Sequence, residues 1–142
     1  MSCMVFEDSH TLDTRGSGDI IDITEMVRES VEASGVGDGI CLVFVGGSTA
    51  ALTTMEYEPG LVEDMRRALN DIAPEDREYE HNERWHDGNG HSHIRAALIG
   101  PSLALPVVNG RLPLGTWQQI VLMEMDNRPR HREITVHITG VE

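Results

Sequence analysis

The sequence predicts an α+β domain in which the strands outnumber the helices. Most apolar segments have the alternating or continuous apolar character of strands, whereas only two have the spacing of a helix. Strands and helices do not alternate strictly, which argues against a doubly wound fold. At 142 residues, with no repeat or linker to divide it, the chain is expected to form one domain over residues 1–142.

The N-terminal segment predicts two short strands and a helix. Apolar residues at 4–6 and 19–23 lie on either side of a glycine-containing turn, which is typical of short strands. Apolar residues then recur at helical intervals from Thr24, the expected N-cap, to Gly35, which ends the pattern. We therefore expect a surface helix with one buried face.

The next segment predicts a central strand, a further strand and a second helix. Residues 39–45 are the most apolar run in the chain and are bounded by glycine at both ends, as expected for a buried strand. After a diglycine break, residues 50–57 predict another strand. Pro59 suits the start of the second helix, and Pro74 marks its end.

The second half of the chain is predicted to be mostly sheet. Residues 73–90 are polar and acidic, which is typical of a solvated loop, although Trp85 argues against a disordered one. Four apolar segments follow, separated by turn signals that contain glycine or proline. These predicted strands are residues 92–100, 102–108, 116–126 and 132–140.

The charge of the chain excludes several classes of partner. Asp and Glu number 24 against 11 basic residues, all of them arginine, for a formal net charge of −13. Such a surface repels phosphate backbones and anionic lipid, so neither nucleic acid nor a membrane is an expected partner. The lysine-free acidic composition suits a salty cytoplasm, and the alternative explanation is a base composition that favours arginine codons.

The sequence contains neither a targeting signal nor a thiol motif. No apolar run approaches the roughly 18 to 20 residues that cross a bilayer, and residues 1–10 lack the order of a signal peptide, so we expect a cytoplasmic protein. Cys3 and Cys41 belong to no metal or redox spacing. We expect both to be free thiols.

The densest polar segment, residues 78–93, holds four of the seven histidines. His91 and His93 are two residues apart in a predicted strand, so their side chains are expected on one face, where they could meet one divalent ion, zinc or magnesium. A zinc site needs three protein ligands. His81 is the candidate third ligand, with Glu56 as a carboxylate partner. The alternative is that these are surface histidines paired with nearby acidic residues.

A second candidate site follows the predicted central strand. Two glycines and two hydroxyl residues there would expose backbone N–H groups that can hold a phosphate. The residues of this cradle are Gly46, Gly47, Ser48 and Thr49. The lysine and spacing of a P-loop are absent, and an ordinary turn between strands is the alternative interpretation.

A third candidate segment is the run from 110 to 120. Gln118 and Gln119 should point to opposite faces of a strand, so one of them is expected at the interior or an interface. Trp117 is expected to lie in the core, and stacking on a ligand is the alternative interpretation. Arg95 and Arg111, near these motifs, could each bind a phosphate bidentately or simply neutralise an acidic neighbour.

Two motifs resemble the YjbQ-like family of secondary thiamine-phosphate synthases. They are a Gly-Asn-x-x-x-His turn, which ends at His93, and a Gly-x-Leu-x-Leu-Gly-Thr-Trp-Gln run, which ends at Gln118. With residues 22–45 upstream, the resemblance extends from about residue 19 to the C-terminus. It implies an α+β fold, a β-sandwich with two helices, that assembles as a homotrimer.

The resemblance also implies an activity and a set of site residues. Family members have a weak thiamine-phosphate synthase activity, which joins a hydroxymethylpyrimidine diphosphate to a thiazole phosphate and releases pyrophosphate, and some have been described with a metal held by histidines. Carried over by motif, the implied site residues are His81, Asn89 and His93, with Glu56, Thr116 and Gln118 as neighbours.

The sequence departs from the family pattern at two places. Many members have Pro-His-Thr-Thr after the central strand, where this chain has a glycine, Gly47, in place of the histidine. If that histidine is a metal ligand, this protein uses His91 or a carboxylate instead, or holds no tight metal. Met55 stands where members commonly have asparagine before the glutamate.

These observations lead to three hypotheses. The first is an enzyme acting on phosphorylated thiamine precursors, in which Ser48 and Thr49 hold phosphate. The histidines would bind a divalent ion or protonate the leaving pyrophosphate, and Glu56 would act as a base or an orienting group. The second is a protein that binds a metal or a small anion without turnover. The third is a purely structural trimer.

Overall fold

Residues 2–142 are described by a computed structural model. They form seven β-strands and four α-helices. The strands are β1 (Met4–Asp13), β2 (Asp19–Asp22), β3 (Asp38–Val45), β4 (Ala50–Met55), β5 (Ser102–Val107), β6 (Gln119–Glu124) and β7 (His131–Val141). The helices are α1 (Thr24–Ser34), α2 (Pro59–Ile72), α3 (Glu80–Trp85) and α4 (Gly90–Ile99).

The strands form two antiparallel sheets. The first sheet has the order β1-β7-β3-β5, and the second has the order β2-β6-β4. The α+β fold class and the β-sandwich are therefore confirmed. The number of helices is corrected, since the described residues contain four instead of the two that the sequence predicted.

Two hydrophobic cores divide the molecule into layers. One core lies between the sheets, and the other lies between the second sheet and helices α2 and α4. Strand β6 belongs to both, because Ile120 and Leu122 point into the first core while Val121 and Met123 point into the second. A strand buried on both faces has a continuous apolar sequence, as this segment does.

The segment predicted as a strand at residues 92–100 is a helix. Its buried positions are Gly90, His91, Ser92, Arg95 and Ala96, which recur at helical spacing. Three of the five are polar, so a pattern based on apolar residues did not reveal the helical period. The alanines at 96 and 97 also favour helix over strand.

Three smaller features differ from the sequence predictions. Strand β1 is ten residues long because it pairs with β7 along its whole length. The polar segment at 73–90 contains helix α3. Trp117, expected in the core, is 73% exposed.

Two further predictions concern the first helix and membrane crossing. Helix α1 begins at Thr24, which corrects the predicted N-cap, since Ile23 holds that position. The helix ends at Ser34, and Gly35 is the C-cap, as expected. None of the helices within residues 2–142 is long and apolar enough to span a membrane.

Candidate functional site

The turn between β3 and β4 passes from the first sheet to the second and approaches a buried arginine. Gly47 adopts φ +138°, and a Cβ atom there would lie 2.9 Å from Nη1 of Arg132. Only glycine meets both conditions without strain. Within residues 2–142, the backbone N–H groups of Gly47 and Ser48 donate to no backbone carbonyl. They are therefore free to bind a ligand.

Arg132 lies beneath this turn and forms a buried ion pair. Its Nε donates to Oε2 of Glu124 over 2.8 Å, and its Nη2 donates to Oε1 of the same carboxylate over 2.5 Å. Nη2 also donates to Oγ1 of Thr49 over 2.9 Å, while the Thr14 hydroxyl donates to Glu124. Such a bidentate pair fixes the arginine in position, and the Thr49 contact ties the turn to it.

A second buried carboxylate joins the turn to the start of helix α4. The Thr49 hydroxyl donates to Oδ2 of Asp126 over 3.2 Å, and Nδ2 of Asn89 donates to Oδ1 of Asp126 over 3.3 Å. Arg130 forms an ion pair with the same carboxylate. Burial alone would raise the pKa of Asp126, but hydrogen bonds from the Asn127 N–H, Asn89 and Arg130 lower it below its ordinary value. Asp126 is therefore ionised at neutral pH.

The rings of two histidines from neighbouring helices lie against each other beside this network, tilted by 42°. The ring centroids of His81 on α3 and His93 on α4 are 4.4 Å apart. Burial lowers the pKa of His93, and the neighbouring His81 lowers it further, whereas Asp126 and Asp87 oppose the shift. His93 is thus mainly neutral at pH 7, with one ring N–H available to donate.

Several polar atoms near these residues have no protein partner. Three buried atoms neither donate nor accept a hydrogen bond within residues 2–142: Nδ1 of His81, Oδ1 of Asn89 and Nδ1 of His91. His81 Nδ1 is 3.5 Å from a carboxylate oxygen of Asp87, but the geometry of that contact is not that of a hydrogen bond. Buried polar atoms normally have partners, so this concentration is typical of a binding site.

The β3–β4 turn and helix α4 enclose one cavity of about 340 Å³, which we call the turn cavity. Ser48 and His93 supply its polar side chains, so the two sequence motifs that contain them meet here. The lining residues are Gly47, Ser48, Ala50, His93, Ala96, Ala97 and Pro101.

His91 does not point toward His93, which corrects the sequence prediction. Two residues on a helix are separated by about 200°, whereas two residues on a strand share a face. The His91 ring is fully buried and lies 6.4 Å from the ring of Tyr79, between centroids. Burial lowers its pKa, with a further contribution from Arg95.

Arg95, a candidate phosphate ligand from the sequence, is also separated from the β3–β4 turn. It is buried, its Nε donates to the carbonyl of Ala73 over 2.9 Å, and it lines a different cavity. The reason is again the helix, on which positions 93 and 95 face different sides.

Three residues implied by the resemblance lie at the far end of the second sheet. Glu56 follows the last residue of β4, Thr116 is exposed, and Gln118 donates to the Thr54 hydroxyl over 3.1 Å. The turn cavity adjoins Ala50, at the opposite end of β4. At the rise per residue of a strand, the two ends of β4 are about 17 Å apart. One chain therefore does not bring them to the histidines. Gln118 and Gln119 are also not buried.

The described residues do not form a complete metal site. His81 and His93 meet, but His91 turns away, and within residues 2–142 no group of three or more His, Cys, Asp or Glu side chains is arranged to hold an ion. A zinc site needs at least three protein ligands. The donor set of one chain therefore does not fit the predicted metal.

Sequence reasoning missed the buried ionic network. Its members are Glu124, Asp126, Arg130 and Arg132. A signal was present, because two acids two residues apart are followed closely by two arginines two residues apart, next to apolar strands. Charged residues are so frequent in this chain that these four do not stand out in the sequence.

The fold and this polar site define a class of small α+β sandwich proteins with a histidine-containing cavity. The model of the family described as "UPF0047 protein YjbQ-like" matches residues 8–141. The chain belongs to this family.

Relatives and solved structures agree over nearly the whole chain. A UPF0047 protein of Methanothermobacter thermautotrophicus is 42% identical, with 99% of each chain covered. One from Archaeoglobus fulgidus is 40% identical over 89% of this chain and 95% of its own. The crystal structure of a YbjQ-like protein of unknown function from Sulfolobus solfataricus has a TM-score of 0.92 at 38% identity, with 98% and 99% of the two chains covered.

Proposed function

We propose that the turn cavity binds the phosphate end of a phosphorylated small molecule. The observation that carries the proposal is that Gly47 and Ser48, whose backbone N–H groups have no backbone carbonyl as partner, line one cavity together with His93. Successive backbone N–H groups form a concave anion-binding surface. The guanidinium of Arg132 lies beneath Gly47, and its charge is balanced by the carboxylate of Glu124.

The acidic residues near the cavity do not prevent anion binding. The Glu124 carboxylate is neutralised by Arg132, and Asp126 is paired with Arg130. Both pairs are held below the turn, so the cavity itself is lined by small apolar residues, a hydroxyl and an imidazole. A phosphate would meet donors there and no carboxylate.

We propose the reaction implied by the family resemblance, the synthesis of thiamine phosphate. The bond between the pyrimidine methylene carbon and the diphosphate oxygen breaks, and its electron pair leaves with pyrophosphate. The thiazole nitrogen then shares its lone pair with that carbon to form the new C–N bond. No nucleophilic side chain is required, because the main demand is to stabilise the departing charge.

The protein groups would act on the departing pyrophosphate. The Gly47 and Ser48 amides and the Ser48 hydroxyl would donate to its oxygens. The neutral His93 would donate a hydrogen bond from its ring N–H. The bound anion would raise the His93 pKa, so that the ring takes up a proton from solvent and can transfer it to the leaving pyrophosphate. Glu56 lies at the far end of the second sheet and takes no part in these steps.

The test is to incubate the purified protein with both precursors and to measure thiamine phosphate. We expect product from the unaltered protein and a loss of about 100-fold or more in H93A, as for other positioned acid and base groups. H137A is the matched control, because His137 lies on the first sheet paired with Glu7. No product, or equal product from H93A and the unaltered protein, would contradict the proposed reaction.

A second candidate function is anion binding without turnover. Gly47 favours it, because this chain lacks a side chain where the family commonly has a histidine. If this function is correct, pyrophosphate raises the melting temperature of the unaltered protein, as any ligand of the native state does, but no product forms. Stabilisation that is lost in H93A, together with no turnover, would identify this case.

We also propose that the protein is a cytoplasmic homotrimer, as the resemblance implies. The outer face of β3 supports contact with further copies of this chain, because Ile40, Leu42 and Phe44 are exposed there by 59%, 40% and 43%. Exposed apolar patches on otherwise charged proteins commonly mark such contacts. The cytoplasm is the expected location because the proposed substrates are charged intermediates.

A further inference from the structure

A second cavity lies on the other side of helix α4, between α2, the β1–β2 loop and β6. We call it the arginine cavity, and its volume is about 180 Å³. Arg66 and Arg95 both line it. We propose that this cavity is a second anion site, distinct from the turn cavity, and that it binds a phosphate group.

The state of Arg95 is the main observation. Its exposure is only 7%, and its hydrogen bonds go to the carbonyl of Ala73 from Nε and to the amide oxygen of Asn70 from Nη2. The ion pairs within residues 2–142 include no carboxylate within 4.0 Å of Arg95. Burial of an arginine is costly unless its charge is paired. This chain has more than twice as many acidic as basic residues, so the lack of a carboxylate partner for Arg95 is unexpected.

Buried Arg132 provides an internal comparison. Its guanidinium is also buried, but it is saturated by Glu124 in a bidentate pair. Arg95 has comparable burial and no such partner. Arg95 lines the arginine cavity, and an anion bound there would supply the partner that its guanidinium lacks.

The other walls are compatible with a phosphate. Arg66 reaches the cavity from α2, while the hydroxyl of Ser17 can donate from the β1–β2 loop. Of the two acidic residues on the walls, Glu124 already binds Arg132 and Thr14. Glu75 is exposed, lies near enough to interact with Arg95 and would compete with the ligand.

The ligand class follows from the donors. A guanidinium presents planar pairs of N–H groups that match two oxygens of a phosphate, and two arginines favour a doubly charged anion. Met123 and Met125 also line the cavity, whose volume of about 180 Å³ suits a compact group. Inorganic phosphate is therefore the probe of choice.

Methyl NMR distinguishes the two cavities in the whole protein. Met123 and Met125 line the arginine cavity, whereas Ala96 and Ala97 line the turn cavity. Titration with inorganic phosphate is expected to shift the Met123 and Met125 methyl signals saturably. Shifts confined to Ala96 and Ala97 would overturn the second site while supporting the first, so the two proposals succeed or fail separately.

Variants on α2 and at Glu75, which follows it, make the test specific. R66Q is expected to weaken the phosphate response of the methionine methyls by about tenfold, and E75Q is expected to strengthen it by removing a competing charge. R67Q is the matched control, because Arg67 neighbours Arg66 but does not line the cavity. Equal weakening in R66Q and R67Q, or no response in the unaltered protein, would overturn the proposal.

Discussion

At the scale of single residues, Gly47 determines how closely the β3–β4 turn approaches Arg132. Its φ of +138° and the 2.9 Å from a hypothetical Cβ to Nη1 leave no room for a side chain. The resemblance implied a histidine at this position in many relatives. This chain has a glycine there instead, which offers a backbone N–H group to an anion and no side-chain ligand to a metal.

We therefore expect G47A to destabilise the protein by about 1 to 3 kcal/mol, the cost of holding a non-glycine residue in such a conformation. The free energy of unfolding in urea is the measurement. G46A is the control, because a Cβ at Gly46 would meet only a ring atom of Phe44 at 3.8 Å. If the two variants were equally stable, the packing of the turn on Arg132 would be wrong.

The buried imidazoles make stability depend on pH. The pKa values of His91 and His93 are lower in the folded chain than the ordinary 6.5, because burial disfavours the charged ring. The unfolded chain therefore binds more protons just below pH 6.5, and stability falls as the pH drops below that value. The lowered pKa of Asp126 acts in a separate window, below about pH 3.8.

H91N should reduce the loss of stability between pH 6.5 and pH 5. The effect is about 1.4 kcal/mol for each tenfold difference in proton affinity between the folded and unfolded imidazole. Urea unfolding at several pH values measures it. H86N is the matched control, because it leaves both buried rings in place and asparagine tolerates the left-handed φ of +58° at that position. An unchanged pH dependence in H91N would contradict this account.

The site residues that the sequence predicted were those with unusual chemistry. Ser48, His81, Asn89 and His93 stand out by type or by motif, and all four adjoin the site. The ionic network of Glu124 and Arg132 did not stand out, because charged residues are common in this chain and their burial depends on the pairing of distant strands. Burial of a charge is a tertiary property that composition does not reveal.

At the scale of elements, helix α4 shows why a strand was predicted in its place. A buried helix face that consists of His91, Ser92 and Arg95 has no apolar stripe, so the remaining residues resembled a short apolar strand. The error changed the predicted site, since it moved His91 and Arg95 to the wrong sides. The strands β3 to β7 were predicted correctly because their apolar faces are continuous or alternate clearly.

The start of α4 packs directly against the residue that precedes α3. A Cβ on Gly90 would lie 2.6 Å from Cβ of Tyr79, which is closer than real atoms approach. This contact sets the distance between α3 and α4, and therefore the distance between the rings of His81 and His93.

G90A is expected to cost about 1 to 3 kcal/mol, as overpacking commonly does, and to separate the two imidazoles. Urea unfolding measures the first effect and the ring proton shifts of His81 and His93 measure the second. G115A is the control, because Gly115 has only the Gln118 side chain near it, at 3.7 Å. Unperturbed ring shifts in G90A would contradict the role of this contact.

At the scale of the whole molecule, the sequence predicted the class of fold but not the layers. The two-sheet sandwich followed from the apolar patterns and from the resemblance. The division into two cores did not, because it depends on β6 being buried on both faces and on α2 and α4 covering the second sheet. Because α2 and α4 lie on the second sheet, they leave the outer face of the first sheet uncovered.

The proposed trimer makes a prediction about this face. Sedimentation equilibrium should give about three times the 15.7 kDa of one chain. L42E should dissociate it, because a charge on an apolar contact loses the burial energy and adds repulsion to a net charge of −13. R67E on exposed α2 should remain trimeric. A monomeric unaltered protein, or a trimeric L42E, would contradict the proposed contact.

The most direct test of the central claim is a pyrophosphate titration followed by the ring signals of His93. If the turn cavity holds a phosphate group, the signals of His93 and Ala97 shift together, and bound pyrophosphate raises the pKa of His93 toward or above its ordinary value. If those signals do not change at saturating pyrophosphate, or change equally in a variant with the turn blocked by G47V, the turn cavity is not the binding site.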